Sequence, residues 1–330
     1  MIAFLSWMIV TTKMRQFLKA NKIAYKVDVL ILTLTGIPHQ GTLPLVVYPQ
    51  SYSQLKMVYE YVLNHHLTFD VLGAITNTYL SSSYHRDVII KTTRLRTIEH
   101  GTDTLRVACG CMLSRVAKEL SMQGYEGYEG FVGIPGTIGA AAINNSGAFN
   151  SIMSKVVRSV TLLTPSLQTK TYTNKELHYG PRTSLLKGIH DGSVLLYVDL
   201  DVTRRGQKDE IDRIIQKNEL YRRTYIDGKR KSLGTCFVAS SMHHLYRRHH
   251  MRMMFKKMAS FLIKPFISSQ EMNCFLDFLF LGCPAMARHC DSLNRFAWDK
   301  HTTEQDFFRY IDTMQSLAGN NLNLEIEIRR

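Results

Sequence analysis

One short segment without any charged residue is rich in glycine and alanine: Gly133-Ile134-Pro135-Gly136-Thr137-Ile138-Gly139-Ala140-Ala141-Ala142-Ile143-Asn144-Asn145-Ser146-Gly147-Ala148-Phe149. Because Pro135 fixes its own φ and keeps Ile134 extended, Gly-Ile-Pro-Gly predicts a tight turn. Gly136 can adopt the positive φ that closes the turn, and Thr137 can cap the helical turn that follows. The N–H groups of that helical turn suit an anion such as a phosphate. The alternative is a packing site at which small residues let two protein segments approach closely.

The composition of the 330 residues is that of an ordinary soluble globular protein, with 45% hydrophobic and 21% charged residues. A formal net charge of +14 indicates an anionic partner of one of three kinds: a phosphorylated small molecule, a nucleic acid or an anionic membrane. The six cysteines form neither paired zinc motifs nor a compact disulfide framework. We therefore expect reduced thiols and a cytoplasmic protein.

Predicted helices and strands alternate along most of the chain, which indicates a fold of the α+β class built from α/β units. A lead helix is predicted over residues 1–25; its apolar start, residues 1–10, has no clear cleavage site and is too short for membrane insertion. Ser51-x-x-Gln54 predicts a helix start, and helices are also predicted at 113–120, 209–224 and 307–317. Strands are predicted at 43–49, 67–72, 88–90, 105–108, 156–163, 194–202 and 324–328.

Four stretches, in this order, resemble motifs of one family: Gly133–Gly139 with Asn145–Phe149, then Tyr179–Ser184, Gly234–Phe237 and Leu324–Arg329. They are similar to the G-I-P-G-T-V-G and N-A-G-A-Y, Y-R-D-S, G-S-V-F and L-E-P-E-V-R elements of UDP-N-acetylenolpyruvoylglucosamine reductases (UDP-N-acetylmuramate dehydrogenases). The resemblance covers residues 28–237 and roughly the last 30, and it is poor over 238–290.

This resemblance implies the vanillyl-alcohol-oxidase or PCMH-type FAD-binding fold, with two α/β subdomains and a smaller C-terminal substrate domain. The implied boundaries are 1–92 and 93–205 for the FAD-binding subdomains and 206–330 for the substrate domain. The implied activity is FAD-dependent, NADPH-using reduction of UDP-N-acetylglucosamine enolpyruvate to UDP-N-acetylmuramate in peptidoglycan precursor synthesis. FAD would be bound non-covalently, the UDP-sugar and NADPH would be the partners, and we expect a monomer.

The chain also departs from the family motifs at several positions. Its first loop is Gly73-Ala74-Ile75-Thr76-Asn77, where the family has a G-G-G-S-N turn. Pro181, Thr235 and Ile326 replace the family's tyrosine, serine and proline. These departures keep a second hypothesis open, namely a flavin-fold paralogue with altered or lost catalysis that acts on or binds another nucleotide sugar.

Three residues would carry the implied chemistry. Arg182 would stabilise the negative charge that develops on the substrate, since a guanidinium stays charged and binds a carboxylate in bidentate fashion. Thr235 would donate a proton to the carbanion, and Glu327 would act with Arg182 as the acid that polarises the substrate carboxyl. The alternatives are a surface salt bridge for Arg182, a strand threonine for Thr235 and a solvated carboxylate for Glu327.

Backbone N–H groups around phosphate oxygens are the physical basis for the predicted FAD contacts. The residues expected to make these contacts are Gly73, Thr76, Asn77, Gly133, Ile134, Pro135, Gly136, Thr137, Gly139 and Gly147.

The stretch His243–Lys257 is rich in histidine, arginine, lysine and methionine. The family resemblance suggests a basic wall for the phosphates of the uridine diphosphate or of NADPH. The charge alone is also consistent with contact to a nucleic acid or to a membrane surface, or with a solvated helix face. We expect no nucleic-acid partner, and no metal site, because neighbouring histidines do not face one another on a helix.

Overall fold

The computed structural model describes residues 12–38, 41–189, 191–226, 230–263 and 270–330. Within these residues the chain forms two compact units. Unit 1 contains the chain up to Leu30, Thr42–Ile75 and His85–Arg222. Unit 2 contains Ile31–Gly41, Thr76–Tyr84 and Arg223–Arg330. The boundaries after residues 92 and 205 stay predictions.

The described elements are as follows, in chain order. Helices are α1 (12–20), α2 (Ile31–Thr35), α3 (Tyr52–Asn64), α4 (Leu113–Met122), α5 (Ile138–Ile143), α6 (Met153–Val156), α7 (Lys208–Tyr221), α8 (His243–Arg248), α9 (His250–Ile263), α10 (Gln270–Leu281) and α11 (Glu304–Leu317). Strands are β1 (Ala24–Leu30), β2 (Thr42–Tyr48), β3 (Phe69–Leu72), β4 (Thr78–Leu80), β5 (Val88–Lys91), β6 (Ile98–His100), β7 (Thr104–Ala108), β8 (Gly147–Ala148), β9 (Ser151–Ile152), β10 (Val157–Leu163), β11 (Thr169–Thr173), β12 (Val194–Asp201), β13 (Cys290–Ser292), β14 (Arg295–Phe296) and β15 (Glu327–Arg329).

Unit 1 is built on two sheets that share one hydrophobic core. The first sheet has the order β1-β2-β5-β3, in which β2, β5 and β3 run parallel and β1 runs antiparallel to β2. The second sheet has the antiparallel order β11-β10-β12-β7-β6. Val47 and Ile90 of the first sheet and Val107 and Val198 of the second are fully buried in the same cluster. Burial of these β-branched side chains on pleated surfaces is the main stabilising term for such strands.

Unit 2 is organised around a cluster of buried aromatic rings. The ring of Tyr79 on β4 stacks on Trp298 with 5.3 Å between centroids, and Phe307 of α11 lies 4.8 Å from Tyr79. Phe296 meets Tyr310 at 5.3 Å. Offset and tilted ring pairs of this kind contribute beyond the area that they bury. Beside them β15 pairs in parallel with β4, with Glu327 opposite Thr78.

The predicted elements are largely confirmed. The strands at 43–49 and 88–90 are β2 and β5, and Ser51 caps α3 by accepting from the Gln54 N–H at 3.2 Å. The helices predicted at 113–120, 209–224 and 307–317 are α4, α7 and α11, although the last residues of the second are π-helical rather than α-helical.

Two predicted elements need correction. Of the lead helix, residues 1–11 lie outside the described residues, 12–20 are helical, and Ala24–Leu30 is a strand. The strand pairs antiparallel with β2, with Ala24 opposite Tyr48, so the last two residues of the predicted helix belong to a strand instead. The last strand begins only at Glu327, because the N–H groups of Glu325 and Ile326 donate to the Cys236 carbonyl instead.

Gly110, between β7 and α4, provides a test of packing in unit 1. A Cβ at this position would lie 1.8 Å from the Thr92 carbonyl oxygen and 2.7 Å from that of Leu95. We expect Gly110→Ala to lower the free energy of unfolding by about 3 kcal/mol, as measured by urea denaturation. Gly188→Ala is the matched control, since a Cβ at Gly188 meets nothing within 4 Å. Equal unfolding midpoints for the two variants would contradict this packing.

Candidate functional site

Two of the predicted cofactor segments meet in unit 1. Gly73 follows β3 directly, at the edge where the parallel strands β3 and β5 both end. A Cβ on Gly73 would lie only 2.5 Å from the Thr137 Oγ1 atom, so the Gly73 backbone lies directly against the Thr137 side chain. In open α/β sheets, ligands bind outside the carboxyl ends of parallel strands. The contact therefore forms a candidate ligand site.

The turn over residues 133–139 has the predicted local geometry. Gly133 has a φ of +84° and Gly136 a φ of +121°. Thr137 is the N-cap of α5, and its side chain accepts from the Ala140 N–H at 3.4 Å. Both the positive φ at Gly136 and the cap at Thr137 are thus confirmed.

The N–H groups after the cap are not available to an anion. Ile138 donates to the Cys111 carbonyl at 2.8 Å, and Gly139 donates to the Cys109 carbonyl at 3.0 Å. A Cβ on Gly139 would lie 2.8 Å from Cys109 Cβ, so this glycine serves close packing between protein segments. The prediction that the helical turn offers its N–H groups is therefore wrong for these residues. Contact between Gly139 and a cofactor stays a prediction.

Two N–H groups earlier in the turn remain. Gly136 and Thr137 are buried, and within the described part of the chain their N–H groups have no protein acceptor. Buried N–H groups are nearly always paired, so a pair of unsatisfied donors indicates a place for an acceptor from a ligand. The Ile134 N–H donates to the Phe131 carbonyl at 3.0 Å, and Pro135 is exposed. Contacts of these two residues with a cofactor stay predictions.

Lys91 is a site residue that the sequence reading missed. Its side chain is 5% exposed, and its Nζ donates to the Gly73 carbonyl oxygen at 2.6 Å. Burial lowers the pKa of this ammonium from 10.5 to about 8. The available signal was a lysine that closes an otherwise apolar strand, Val88-Ile89-Ile90-Lys91. The bond fixes the carbonyl of the first loop and places positive charge beside it.

The first loop keeps a glycine-like backbone despite its altered sequence. Ile75 is 5% exposed and has a φ of +59°, a conformation that β-branched residues rarely adopt. A left-handed residue of this type costs about 1–2 kcal/mol. Positions 74 and 75 therefore carry side chains where the family has glycines. The backbone at Ile75 nevertheless lies in the left-handed region that glycine adopts easily.

Arg182 belongs to a second cluster in unit 1. Its guanidinium donates to the Gly147 carbonyl at 3.1 Å, and its backbone φ is +54°. Asn145 donates to the Gly180 carbonyl at 2.8 Å, and Ser184 donates to the Ile143 carbonyl at 2.6 Å. These bonds bring the segment 179–184 to the end of the glycine- and alanine-rich stretch.

Tyr179 adds a buried polar group to this cluster. Within the described residues its hydroxyl has no hydrogen-bond partner. Burial raises the pKa of this phenol above its ordinary value, so the group is a neutral donor near pH 7. A buried hydroxyl without a partner is a candidate contact for a bound ligand.

Thr235 and Glu327 lie in unit 2 on segments that Asn77 joins. The Asn77 side chain donates to the Glu325 carbonyl at 2.9 Å, and the Glu327 N–H donates to the Asn77 carbonyl at 2.9 Å. A Cβ on Gly234 would lie 3.8 Å from Asn77 Oδ1. The structure therefore brings the segments of Thr235 and Glu327 together at Asn77. Thr76, the residue before Asn77, is half-buried.

The neighbours Thr235 and Cys236 face opposite environments. Thr235 is exposed, whereas Cys236 is fully buried and burial raises the pKa of its thiol to about 12. The stretch is not a continuous strand: Phe237 makes an isolated bridge to Leu324, and Gly234 has a φ of +89°. A hydroxyl, and not a thiol, is thus the group that this segment presents.

Glu327 has two partners on its own sheet. The Thr78 hydroxyl lies 3.4 Å from its Oε2, and Arg329, two residues further along β15, forms an ion pair with it. Its carboxylate is therefore held in place, and Arg329 was not anticipated in this role. Arg182 lies in unit 1 and the other two residues in unit 2, so joint action of the three stays a prediction.

The basic stretch forms α8 and α9 of unit 2. The rings of His243 and His244 lie 3.8 Å apart at the start of α8, so the expectation that neighbouring histidines do not meet is wrong at this helix end. In the part of the chain that the structure describes, no group of three or more potential ligands could hold a metal ion. Nor is any described helix long and apolar enough to cross a bilayer.

A family model and several known proteins match part of this chain. Residues 43–169 match the family model described as a FAD binding domain. Over 174 residues the chain is 34% identical to the UDP-N-acetylenolpyruvoylglucosamine reductase of Trichormus variabilis, covering 52% of this chain and 53% of that protein. Over 215 residues it is 31% identical to the reductase of Anoxybacillus flavithermus, covering 63% and 68%.

A solved structure extends the fold comparison over most of the chain. The crystal structure of the Thermus caldophilus UDP-N-acetylenolpyruvylglucosamine reductase superposes with a TM-score of 0.62 at 19% identity, covering 93% of this chain and 99% of that one. Together with the domain match, this confirms the PCMH-type FAD-binding fold. In sequence, the chain spans about half the length of the Trichormus relative.

Titration of Lys91 should be visible in the stability of the protein without flavin. Between pH 8 and 10.5 the folded protein binds fewer protons at Lys91 than the unfolded chain, so its free energy of unfolding rises with pH. Relative to Lys91→Met, the wild type should gain about 3 kcal/mol across this window in urea denaturation. Lys118→Met, at an exposed lysine, controls for the loss of one charge. Parallel curves for wild type and Lys91→Met would contradict a buried ammonium.

Proposed function

Because this chain belongs to the UDP-N-acetylenolpyruvoylglucosamine reductase family, we propose that it reduces UDP-N-acetylglucosamine enolpyruvate to UDP-N-acetylmuramate in peptidoglycan precursor synthesis. FAD is its non-covalent cofactor and NADPH its co-substrate in this proposal. The observation that carries it is the contact between Gly73 and Thr137, which lies inside the FAD binding domain match at 43–169.

The residues at this contact fit the diphosphate of a dinucleotide. The buried N–H groups of Gly136 and Thr137 can donate to phosphate oxygens, as such groups do in other phosphate sites. The Lys91 ammonium supplies positive charge beside the Gly73 carbonyl. When bound, FAD supplies the hydride chemistry, while the protein binds, orients and polarises. Thr76, Asn77, Gly133 and Gly147 complete the proposed contact set.

Arg182 and Tyr179 are proposed to face the enolpyruvyl substrate. A guanidinium remains charged at any working pH and can hold the substrate carboxylate in bidentate fashion. Hydride addition to one carbon of the double bond places negative charge on the adjacent carbon and the carboxyl, and a fixed cation there lowers the barrier. The bond from the Arg182 guanidinium to the Gly147 carbonyl restrains this cation, which limits the reorganisation needed during reaction.

Thr235 is proposed to donate the proton that completes the reduction. Its hydroxyl is exposed, whereas the neighbouring thiol is buried with a pKa of about 12. Glu327, held by Thr78 and Arg329, is proposed to act with Arg182 on the substrate carboxyl.

The setting of the enzyme is also part of the proposal. All six cysteines are free thiols, which supports a reducing compartment and hence the cytoplasm. We propose that the chain works there as a monomer whose partners are the UDP-sugar and NADPH.

Flavin content and turnover test the proposed function. We expect the purified chain to show flavin absorbance, or to acquire it on addition of FAD, and to oxidise NADPH only when the enolpyruvyl substrate is present. A colourless chain that takes up no FAD would contradict the proposal. Flavin binding without substrate-dependent oxidation would instead favour the paralogue that acts on another nucleotide sugar.

Substitution of Thr235 tests the proton donor. Thr235→Val keeps the shape of the side chain but removes its hydroxyl, so kcat should fall by about 10²–10⁴-fold with KM little changed. Thr235→Ser should retain most of the activity. Thr169→Val, at an exposed threonine of β11, is the matched control. Full turnover by Thr235→Val would remove this residue from the mechanism.

A further inference from the structure

Helix α9 carries an exposed apolar stripe in the part of the chain that least resembles the family. Met251, Met254, Phe255, Met258 and Phe261 recur at the spacing that places side chains on one helix face. Their exposed fractions are 49%, 52%, 53%, 58% and 78%, in that order. Large side chains exposed side by side in this way mark an interaction surface.

The opposite face of α9 anchors the helix to unit 2. Met253 packs against the unit 2 core, and the Lys256 Nζ forms an ion pair with Asp277 of α10 at 3.1 Å. Both partners of that pair are largely buried, which limits rotation of the helix. The stripe therefore points outward because the other face is already occupied.

Basic residues border the stripe on both sides. With 100° between successive residues of a helix, Arg252 and Lys257 lie on opposite flanks of the line through Met251 and Met258, and both are exposed. Arg247 and Arg248 of α8 add exposed positive charge before it. The sequence from residue 228 to 270 contains no aspartate or glutamate. Along this part of the sequence, the apolar side chains are thus accompanied by positive charge alone.

We propose that α9 docks this protein on the surface of an anionic lipid bilayer, with the helix axis parallel to the membrane plane. Methionine and phenylalanine side chains would enter the boundary between headgroups and acyl chains, while Arg252 and Lys257 contact anionic headgroups. The 14 residues of α9 measure about 21 Å, too short to cross a hydrocarbon core of about 30 Å. Nucleic acid would use the positive charge but leave the apolar stripe exposed to water, so the lipid surface explains more of the helix. This proposal does not depend on the reductase activity.

Vesicle flotation with the full chain tests the proposal. We expect binding to vesicles of equimolar phosphatidylglycerol and phosphatidylcholine, and at least tenfold weaker binding to phosphatidylcholine alone. The triple variant Met254→Ser, Met258→Ser, Phe261→Ser should lose at least about a hundredfold in affinity, since each buried side chain is worth about tenfold or more. The double variant Arg252→Gln, Lys257→Gln should lose roughly fivefold per charge, and added salt should weaken wild-type binding.

Met122→Ser is the matched control for loss of an exposed methionine, because Met122 of α4 is 59% exposed and Met258 is 58% exposed. It should bind vesicles like the wild type. Thermal unfolding of the triple variant should match the wild type, which separates lost docking from lost folding.

Three results would overturn the proposal. The first is equal affinity of the wild type and the triple variant for anionic vesicles. The second is a concentration-dependent dimer that the triple variant abolishes, with no vesicle binding, which would assign the stripe to a second copy of the chain. The third is binding to labelled duplex DNA, without vesicle binding, that depends on Arg252 and Lys257 but not on the stripe.

Discussion

The close approach of Gly73 to Thr137 is the constraint on which the candidate site of unit 1 depends. Any side chain at position 73 would meet the Thr137 hydroxyl at 2.5 Å, so only glycine lets the end of β3 lie against the capped turn. The turn is fixed by two bonds: the N–H of Leu113, the first residue of α4, donates to the Gly136 carbonyl, and the Ile138 N–H donates to the carbonyl of Cys111, just before α4. The loop is fixed by Lys91. Both backbones are thereby held ready before any ligand arrives, which reduces the entropy lost on binding.

Unfavourable local features occur in both candidate clusters of unit 1. Lys91 is a buried ammonium, Ile75 is a β-branched residue with positive φ, and Arg182 also has positive φ. Each costs free energy that the surrounding packing must offset, and such costs concentrate where a protein positions functional groups. The altered first loop fits this pattern, because Ile75 retains a glycine-like backbone at the price of strain.

The sequence predicts best what short-range chemistry determines. Gly136 and Thr137 were placed correctly because positive φ and N-capping depend on neighbouring residues. The use of the Ile138 and Gly139 N–H groups was not predictable, since their acceptors are Cys111 and Cys109, more than twenty residues earlier. Lys91 is hidden from the sequence for a similar reason, since the Gly73 carbonyl that it reaches lies 18 residues earlier. The pair of Arg329 and Glu327 is different: residues two apart on a strand share a face, so the sequence pattern already allows this ion pair.

Hydrogen–deuterium exchange with and without FAD tests the central claim most directly, because the claim concerns two particular N–H groups. If the turn holds the dinucleotide diphosphate, FAD will slow exchange at Gly136 and Thr137, and it will leave the edge strand β11 (Thr169–Thr173) unchanged. Bound FAD with unchanged exchange at both amides would place the cofactor elsewhere and contradict the account.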